Sequence, residues 1–532
     1  MAHLSVLSSQ NQLTYTQNTH QNMDYLLSYI KWALPLFPII IFFLISFAKT
    51  KSYDKNLPPG PTSLPIFGNL LNMLPYITKP HKYFAELAKT HGPIMSLQIG
   101  SITTIVVSSS MLAKQVLLKN HDIFSTLYGL DAFRAHDHDK FSIGSLLASS
   151  PLWKVLRKIF NTRLLSNKLI ESMQTHRHRK LEDLLCYVKE CSQSNISLDV
   201  GQAVYDTSFD MVSSTVFSMD SSNDARIKEV KALMDCIIKD IGRPNIVDCY
   251  PFLKMIDPQR IRHRLTSYCV KLFKLFDEII DMRLKSRKEQ VHDSESLNND
   301  LLDVMLDVME EQSHEINRDH LNHMLLDYLG PGMDTTSKTM EWTMAELLQN
   351  PIILCKLQEE LDRVMGKYNT KIILDSHFSE LPYLQAIVKE ALRLHPTAPL
   401  LLPRRVVKDV EIDGFQLPKG AMLMVNAWSI GRDPQIWTNP DSFIPERFLG
   451  SENDVTSQFN QLFTFGAGKK ICPGMNLAIR MISLMLGNLI SSFNWKLEEI
   501  GDIQQVLDLD DIYGITIKKA KSLRAFPINR LH

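Results

Sequence analysis

The residues with the clearest chemical potential lie between positions 465 and 474, where the sequence reads FGAGKKICPG. Cys472 is central to this segment, because a cysteine thiolate is both a nucleophile and a metal ligand. The surrounding glycines let the backbone approach a flat group closely, and the apolar run 475–489 predicts a helix whose N-terminus stabilises a thiolate. The segment lacks the spacing of a phosphate-binding loop and the third glycine of a dinucleotide-binding loop. We therefore interpret Cys472 as a functional thiolate rather than an ordinary core cysteine.

An acid and an alcohol stand side by side at Asp334 and Thr335, within a helix that the apolar spacing predicts over 320–348. Such a pair can relay protons, so both residues are candidate catalytic groups. Pro331 opens the same motif, PGMDTT, and removes one helical hydrogen bond, to the carbonyl of Asp327. We therefore expect a kink at Pro331, which either reinforces a bend needed there or displaces Thr335.

Composition excludes several classes of protein before any fold is considered. The chain of 532 residues is 45% hydrophobic and 22% charged, which excludes collagen-like, disordered and disulfide-scaffold proteins. Lysine plus arginine equals aspartate plus glutamate at 58 each, so no overall field attracts nucleic acid and a charged partner must meet a local patch. The seven cysteines include no C-x-x-C pair, so neither a disulfide framework nor a zinc site is expected.

The N-terminal region predicts a membrane anchor. Residues 32–48 carry no charge, and extending the run back to position 25 adds only Lys31, which gives a span of bilayer length over 25–48. Lysines at 49, 51 and 55 follow at once, which favours a retained anchor with the rest of the chain in the cytosol. A cleaved signal peptide ending near 46–48 is the alternative. Residues 1–24 form a polar leader, and the sequon at 195–197 is expected to stay unmodified.

Periodicity predicts one large, mainly α-helical domain with small β-sheets over 70–532, after a basic and proline-rich elbow at 49–69. Two β-rich runs within 94–107 break at Gly100 and read as a hairpin. A polar loop is expected over 285–300. Further short strands are predicted near 410–416, 422–425 and 514–518. Helices are predicted at 165–191, 227–241, 260–287, 320–348 and 351–365.

The cysteine segment resembles the haem-binding signature of the cytochrome P-450 superfamily, Phe-x-x-Gly-x-Arg-x-Cys-x-Gly. Phe465, Gly468, Cys472 and Gly474 match the signature, whereas its arginine is replaced by Lys470. The resemblance implies the cytochrome P-450 fold, with haem b as cofactor and the Cys472 thiolate as axial ligand of the iron. Lysine keeps the positive charge of the arginine but loses its forked contact with a haem propionate.

Other landmarks of the superfamily follow in the expected order. Glu390 and Arg393 match its Glu-x-x-Arg motif, at a spacing that lets them pair on one helix face, and Arg447 resembles the second arginine of that network. Trp153 and Arg157 resemble a helix pair that binds a propionate. The cofactor-binding residues that the resemblance implies are Cys472, Trp153, Arg157, Arg404, Phe465, Gly466 and Lys470.

The resemblance implies a monooxygenase that inserts one atom of dioxygen into a C–H bond of a small lipophilic substrate. Asp334 and Thr335 match the positions that deliver protons, and Gly332 matches the position that leaves room for oxygen above the iron. The anchor then implies the endoplasmic reticulum membrane, with a single span and a cytosolic catalytic domain. Electrons are expected from NADPH through NADPH-cytochrome P-450 reductase, which would dock on a basic face made of Arg157, Lys158, Lys469 and Lys470.

Within the superfamily the chain resembles the plant microsomal, geraniol 8-hydroxylase-like branch, whose members oxidise monoterpenols, iridoids and diterpenes. A sister group oxidises tyrosine or DOPA in betalain formation, and both groups remain open, as does a haem protein that lacks oxygen activation or rearranges its substrate. The pocket positions that the resemblance implies are mostly apolar, which favours a terpenoid. They are Phe133, Leu329, Ala398, Leu400, Tyr513 and Ile515. The run HDHD at 136–139 is interpreted as a polar loop rather than a metal site.

Overall fold

The computed structural model describes residues 56–289, 300–450, 462–498 and 508–530. The polar leader at 1–24, the anchor at 25–48 and the first residues of the elbow lie outside these ranges. Helices dominate the described residues, as the periodicity predicts. The longer helices are α1 (Pro80–His91), α2 (Pro151–Ile159), α3 (Gln174–Gln193), α4 (Val200–Phe217), α5 (Ala225–Ile241), α6 (Ile261–Glu289), α7 (Leu301–Glu311), α8 (Arg318–Gln349), α9 (Pro351–Tyr368), α10 (Pro382–Leu394) and α11 (Met475–Ser492).

Short strands form small sheets beside the helices. They are β1 (Ile94–Ile99), β2 (Ile102–Val107), β3 (Leu198–Asp199), β4 (Arg404–Arg405), β5 (Val410–Ile412), β6 (Phe415–Leu417), β7 (Met422–Val425), β8 (Phe493–Leu497), β9 (Asp511–Tyr513), β10 (Ile517–Lys519) and β11 (Arg524–Asn529). The largest sheet has the order β1-β2-β7-β4, with β2 and β7 parallel and the other pairs antiparallel. Another sheet has the order β3-β11-β8, and β5 with β6 and β9 with β10 form two-stranded ribbons.

The hairpin predicted within 94–107 is confirmed. β1 and β2 pair from Ile94 opposite Val107 to Ile99 opposite Ile102, and the turn contains Gly100, whose φ is +60°. The described part of the elbow packs on β1, where the Ser96 N–H donates to the Pro59 carbonyl at 2.9 Å. The proline-rich segment therefore fixes where the chain enters the domain without forming a long helix or strand.

α8 is the central helix of the core. It packs along α4 and also contacts α9, α10 and α11. The spacing of apolar residues does not predict α4. Most faces of this helix are buried, so its sequence shows no polar stripe. α8 itself runs unbroken from Arg318 to Gln349, so Pro331 lies inside a continuous helix. Pro331 therefore does not interrupt the segment that carries Asp334 and Thr335.

The polar loop predicted over 285–300 overlaps the end of α6, which continues to Glu289, and positions 290–299 of this prediction lie outside the described residues. The prediction is wrong over 285–289. Charged side chains hold this last part of α6: Arg287 donates from Nε to Asp303 Oδ1 at 2.8 Å, and Arg283 donates from Nη1 to Asp300 Oδ1 at 2.7 Å. Ion pairs thus extend the helix beyond the apolar pattern from which its end was predicted.

One helix among the described residues, α11, has the length and apolar composition of a membrane-spanning segment. Most of α11 is buried inside the protein, where it contacts α3, α8, α9 and α10. α11 is therefore accounted for as a core helix, and its N-terminus lies directly behind the cysteine segment.

Candidate active site

Cys472 lies between a short helical turn and the N-terminus of α11. The 3-10 turn Gly468–Lys470 precedes it, and the N–H groups of Gly474 and Met475 donate to its sulfur. Burial raises the pKa of the Cys472 thiol, while these two N–H groups and the Arg157 guanidinium oppose that change. The side chain is nevertheless accessible, so its sulfur borders an internal space. This geometry suits a thiolate that becomes stable when it binds a metal ion.

Gly466 and Gly468 shape the cysteine segment. Both have a φ of +71°, a conformation that side chains with a Cβ disfavour. A Cβ on Gly468 would lie 2.2 Å from the Leu117 carbonyl oxygen, whereas the nearest neighbour of one on Gly466 would be the Lys470 oxygen at 3.8 Å. Phe465 takes part through its carbonyl, which accepts the Cys472 N–H at 2.9 Å. Position 468 therefore requires glycine because two backbones approach closely there. Position 466 requires glycine only because of its φ.

Arg404 is a buried cation that lacks an anionic partner among the described residues. Its side chain belongs to β4, it is 5% exposed, and its Nε has no hydrogen-bond partner within the described ranges. Burial lowers the pKa of Arg404 to about 10. Because an uncompensated buried charge is costly, a ligand that brings a negative group to this position is expected. The propionates of haem provide such groups, so Arg404 and the Cys472 thiolate together fit haem.

Trp153 and Lys470 both donate to the carbonyl of Ile143, which belongs to the loop before α2. Trp153 Nε1 lies 3.1 Å from this oxygen and Lys470 Nζ 2.9 Å. Lys470 Nζ also contacts the carbonyl oxygens of Gly144 at 3.2 Å and Leu146 at 2.7 Å. An ammonium has three N–H donors, so Lys470 spends all of them on this loop. The structure therefore places Lys470 as a clamp on residues 143–146.

Glu390, Arg393 and Arg447 form the network that the resemblance implies. Arg393 Nε and Nη2 donate to the two carboxylate oxygens of Glu390 at 2.7 and 2.8 Å, and Arg447 Nε donates to Glu390 Oε1 at 3.0 Å. The remaining Arg393 donors reach carbonyls of Pro440 at 2.6 Å and Ser442 at 3.0 Å. α10 is thereby fastened to the chain segment that leads into the cysteine segment.

Asp334 and Thr335 are neighbours on α8, but their side chains bond to different partners. Asp334 is 4% exposed, and its carboxylate accepts the Thr516 hydroxyl at 2.6 Å and contacts the Lys338 ammonium. Thr335 Oγ1 donates to the Pro331 carbonyl at 2.7 Å. The acid and the alcohol are therefore close along the helix but share no direct hydrogen bond. Thr516 carries no motif that sequence reasoning could use, whereas Lys338 stands one helical turn after Asp334, a spacing that signals such a pair.

The position of the Cβ that Gly332 lacks faces a neighbouring helix. A Cβ added to Gly332 would meet Val212 of α4 at 3.5 Å, so the room left by this glycine faces α4. Pro331, one position earlier, is exposed although its neighbours Gly330 and Met333 are buried. Successive helical residues point about 100° apart, which accounts for the difference. Pro331 therefore borders an accessible space, and Gly332 next to it is partly accessible.

The predicted pocket residues divide into two groups. Phe133, Ala398 and Ile515 are partly accessible, as residues that line a pocket must be. Leu329 is 0% exposed in the core of α8, and Leu400 packs with Phe84 and Met95 in an apolar cluster that Tyr513 also touches. Leu329 and Leu400 thus lack the accessible surface that a substrate contact needs.

A cavity of about 390 Å³ lies at the surface between residues 128–134 and 247–254. Asp131 joins its two walls, because the Asp131 N–H donates to Asp248 Oδ1 at 2.8 Å and Arg262 Nη1 donates to Asp131 Oδ1 at 2.8 Å. Burial raises the pKa of Asp248 to about 6. We call this the charged cleft, and its further lining residues are Tyr128, Arg134, Lys254, Arg405 and Gly420.

The basic face predicted for a reductase contains only two surface cations. Lys158 and Lys469 are exposed, and Lys469 pairs with Asp122. Lys470 turns inward to residues 143–146, and Arg157 Nη1 donates to the Ile471 carbonyl at 2.7 Å. Backbone carbonyls in the interior thus take two of the four charges assigned to this face.

The HDHD run is not simply a solvated loop. His138 is buried, with its Nδ1 2.9 Å from His323 Nδ1 of α8 and its Nε2 3.3 Å from Asp327 Oδ1. Burial lowers the pKa of His323 to about 3, so this ring is neutral. No group of three or more side chains suited to hold a metal ion occurs among the described residues. The run therefore joins the loop before α2 to α8.

Comparison with known proteins agrees with this geometry. The sequence pattern of the cytochrome P450 family matches residues 58–523. Geraniol 8-hydroxylase from Catharanthus roseus is 43% identical over 494 residues, which cover 92% of this chain and 97% of that protein. Geraniol 8-hydroxylase from Swertia mussotii is 44% identical over 492 residues, with the same coverage. Cytochrome P450 76AD1 from Beta vulgaris is 44% identical over 494 residues, again 92% of this chain and 97% of the relative.

A cysteine held at a helix N-terminus, a buried arginine that lacks an anionic partner among the described residues and the Glu390 network fit a haem-thiolate protein, and the chain belongs to the cytochrome P450 family. It is a monooxygenase of the oxidoreductase class. The family implies haem iron as its cofactor, and the mainly helical fold with small sheets is that of the family.

Proposed function

We propose that this protein hydroxylates a small terpenoid, using dioxygen and electrons that NADPH supplies through a flavoprotein reductase. The observation that carries the proposal is the Cys472 sulfur, which accepts the N–H groups of Gly474 and Met475 at the start of α11. Bound there, haem supplies an iron that activates dioxygen for insertion of one oxygen atom into a C–H bond. Relatives that are named after geraniol, an acyclic terpenoid alcohol, support the substrate class.

The chain's own residues hold the cofactor and exclude competing contacts. The N–H groups of Gly474 and Met475 stabilise negative charge on the Cys472 sulfur. Arg404 is placed to bind a propionate, and Arg157 adds positive charge near the sulfur. Trp153 and Lys470 fix the 143–146 loop, and through this loop they shape one side of the cofactor site.

Accessible residues on the other side bind and orient the substrate. Phe133, Ala398 and Ile515 offer mainly apolar surface, and Pro331 presents its ring from α8. An apolar pocket with few polar groups suits a hydrocarbon skeleton, which burial stabilises by about 25 cal/mol for each Å² removed from water. Asp334 and Thr335 are the groups placed to hold and move protons there.

We further propose that the protein is held at the endoplasmic reticulum membrane by residues 25–48. Two segments, 64–77 and 246–256, support a membrane position because their large apolar side chains are exposed. The segments touch each other where Tyr250 OH donates to the Ile66 carbonyl at 3.2 Å. The exposed side chains are Leu64, Ile66, Phe67, Leu71, Leu74, Tyr76, Ile77, Ile246, Phe252, Met255 and Ile256. A Phe252→Ser, Ile256→Ser double variant should float less with vesicles than a variant changed at the exposed Ile352 of α9.

The thiolate is tested by the spectrum of the reduced, carbon monoxide-bound protein. Wild type should give the thiolate-type Soret band, and Cys472→Ser should lose it. Cys355→Ser, which changes an exposed cysteine, is the matched control and should keep the band. Absence of the band in wild type would contradict the haem-thiolate assignment.

Substrate and electron source are tested with purified reductase, NADPH and dioxygen. Monoterpenols such as geraniol should produce spectral shifts on binding and hydroxylated products on turnover. Binding of tyrosine in their place would favour the amino-acid-oxidising alternative. No product from any of these compounds despite normal reduction would favour a haem protein that lacks oxygen activation.

A further inference from the structure

Lys338 and Thr516 occupy both oxygens of the Asp334 carboxylate. Thr516 Oγ1 donates to Asp334 Oδ2 at 2.6 Å, and Lys338 Nζ contacts Asp334 Oδ1. Lys338 Nζ also donates to Thr516 Oγ1 at 2.8 Å. The three side chains therefore form a closed triangle, which we call the Asp334 triangle.

The donors around Asp334 in the triangle suit an ionised carboxylate. A hydroxyl has one hydrogen, and Thr516 uses it towards Asp334 while its oxygen accepts from Lys338. Asp334 is then an acceptor at both oxygens, which is the arrangement of a carboxylate and not of a protonated acid. Asp334 and Thr516 are 4% and 8% exposed, so the Lys338 cation compensates a charge that is largely out of water.

The triangle ties α8 to the ribbon formed by β9 and β10. Thr516 lies in the turn between these strands and directly follows the accessible Ile515. The same turn is anchored on other segments, because the Ile517 N–H donates to the Thr397 carbonyl at 2.9 Å and Tyr513 N–H to the Thr78 carbonyl at 2.8 Å. A molecule that presses on Ile515 therefore acts on the residue that holds Asp334.

We propose that Lys338 and Thr516 are positioning residues for proton delivery, which keep Asp334 ionised and turned towards the β9–β10 turn until the triangle opens. The inference rests on the proposed role of Asp334. During delivery Asp334 takes one proton from solvent at an oxygen released by Lys338 or Thr516, passes that proton on, and returns to the carboxylate. Thr335 is not its partner in the closed state, since the Thr335 hydroxyl is committed to the Pro331 carbonyl.

Infrared spectroscopy tests the triangle without substrate, reductase or turnover. The C=O band of a protonated carboxylic acid is followed against pH, and the part that disappears in Asp334→Asn is assigned to Asp334. In Lys338→Met this band should persist to a higher pH than in wild type, because the compensating cation is gone. Lys518→Met, which changes an exposed lysine of β10, should behave as wild type.

Steady-state turnover supplies the second measurement. Thr516→Val and Lys338→Met should lower the product formed per NADPH consumed about tenfold, which is the effect of losing a hydrogen bond to a charged group, and should change the solvent deuterium isotope effect. Thr516→Ser should restore both values. Thermal unfolding of Thr516→Val and Lys338→Met identifies a variant that fails to fold, in which case the other variant decides through the isotope effect.

The two measurements separate the proposal from its premise. If the infrared band of Lys338→Met disappears at the same pH as that of Lys518→Met, the triangle itself is overturned. A shifted band together with unchanged coupling in Asp334→Asn overturns the role in proton delivery, while the haem-thiolate assignment, tested by its own spectrum, is unaffected. A shifted band with loss of coupling in both Thr516→Val and Lys338→Met supports the proposal.

Discussion

Glu390 and Asp131 are both buried carboxylates paired with arginines, yet the bonds around them differ. Glu390 and Arg393 are 0% and 1% exposed, and every donor of Arg393 that the network uses ends on a carboxylate or a backbone carbonyl. At the charged cleft, Asp131 is held by Arg262, whose side chain is 26% exposed, and Asp131 Oδ2 lacks a partner within the described residues.

The two regions should therefore differ in the free energy needed to open them. The region that leads into the cysteine segment depends on bonds that water cannot replace, so it opens only when the domain unfolds. The charged cleft joins 128–134 to 247–254 through a few polar contacts that water can replace, so it opens at a lower free energy. A cofactor site needs the first kind of region, and a route for a substrate needs the second.

Removing the charge of Glu390 should have the largest effect. Glu390→Gln keeps the shape of the side chain but leaves Arg393 and Arg447 without their counter-charge, so we expect a loss of about 3 to 5 kcal/mol in the free energy of unfolding. Haem content should fall with it. Urea unfolding and the carbon monoxide spectrum measure both quantities. Glu311→Gln, at an exposed pair with Arg163, is the control and should leave both unchanged. Equal effects of the two substitutions would contradict the comparison.

A smaller effect is expected within the cysteine segment. Gly468→Ala places a Cβ against the Leu117 carbonyl, which should cost about 3 kcal/mol of stability. Gly466→Ala has the same φ but no close neighbour, so about 1 kcal/mol is expected from the backbone alone. Chemical unfolding of the two variants with bound haem checks the difference. Similar losses would show that the close approach at Gly468 relaxes easily.

The smallest effect, with the opposite sign, is expected at the charged cleft. Burial raises the pKa of Asp248 from 3.8 to about 6 in the folded protein, so the folded state binds this proton more tightly than the unfolded chain. The protonated Asp248 carboxyl makes its full contribution to the free energy of unfolding below pH 3.8. This contribution is lost as the pH rises through about 6. Asp248→Asn stays neutral and can still accept the Asp131 N–H, so it should stabilise the protein by about 2 kcal/mol at pH 7.5.

The pH dependence of this substitution is its own control. The stabilisation by Asp248→Asn should shrink as the pH falls from 6 to 4, since the wild-type carboxyl then becomes neutral as well. Urea unfolding of both proteins across this range measures the difference. A gain that does not depend on pH, or a loss at pH 7.5, would show that the charge of Asp248 holds the cleft together.

The sequence predicts best where the chemistry is local. The spacing from Phe465 to Gly474 locates the thiolate, and the i,i+3 spacing of Glu390 and Arg393 predicts their pair correctly. The hairpin at 94–107 follows from alternation and a glycine turn. These features depend on neighbours along the chain, which periodicity and motif spacing describe directly.

Contacts between distant segments were beyond such reasoning. Thr516 meets Asp334 across 182 positions, and Lys470 meets Ile143 across 327. A lysine in place of arginine indicates a lost propionate contact, but nothing in the sequence says which carbonyls replace it. The position of Leu329 along the chain does not reveal that the rotation of α8 buries this side chain in the core.

The Lys470 clamp has a consequence for how this protein is compared with its relatives. Its three bonds end on backbone oxygens, so they depend on the length and path of the loop at 143–146 and not on the identity of its side chains. A guanidinium presents its donors in one plane, whereas an ammonium directs three donors tetrahedrally, so the two side chains would hold this loop along different paths. Among descendants of a common ancestor, the choice between lysine and arginine at position 470 should therefore be inherited together with the length of this loop.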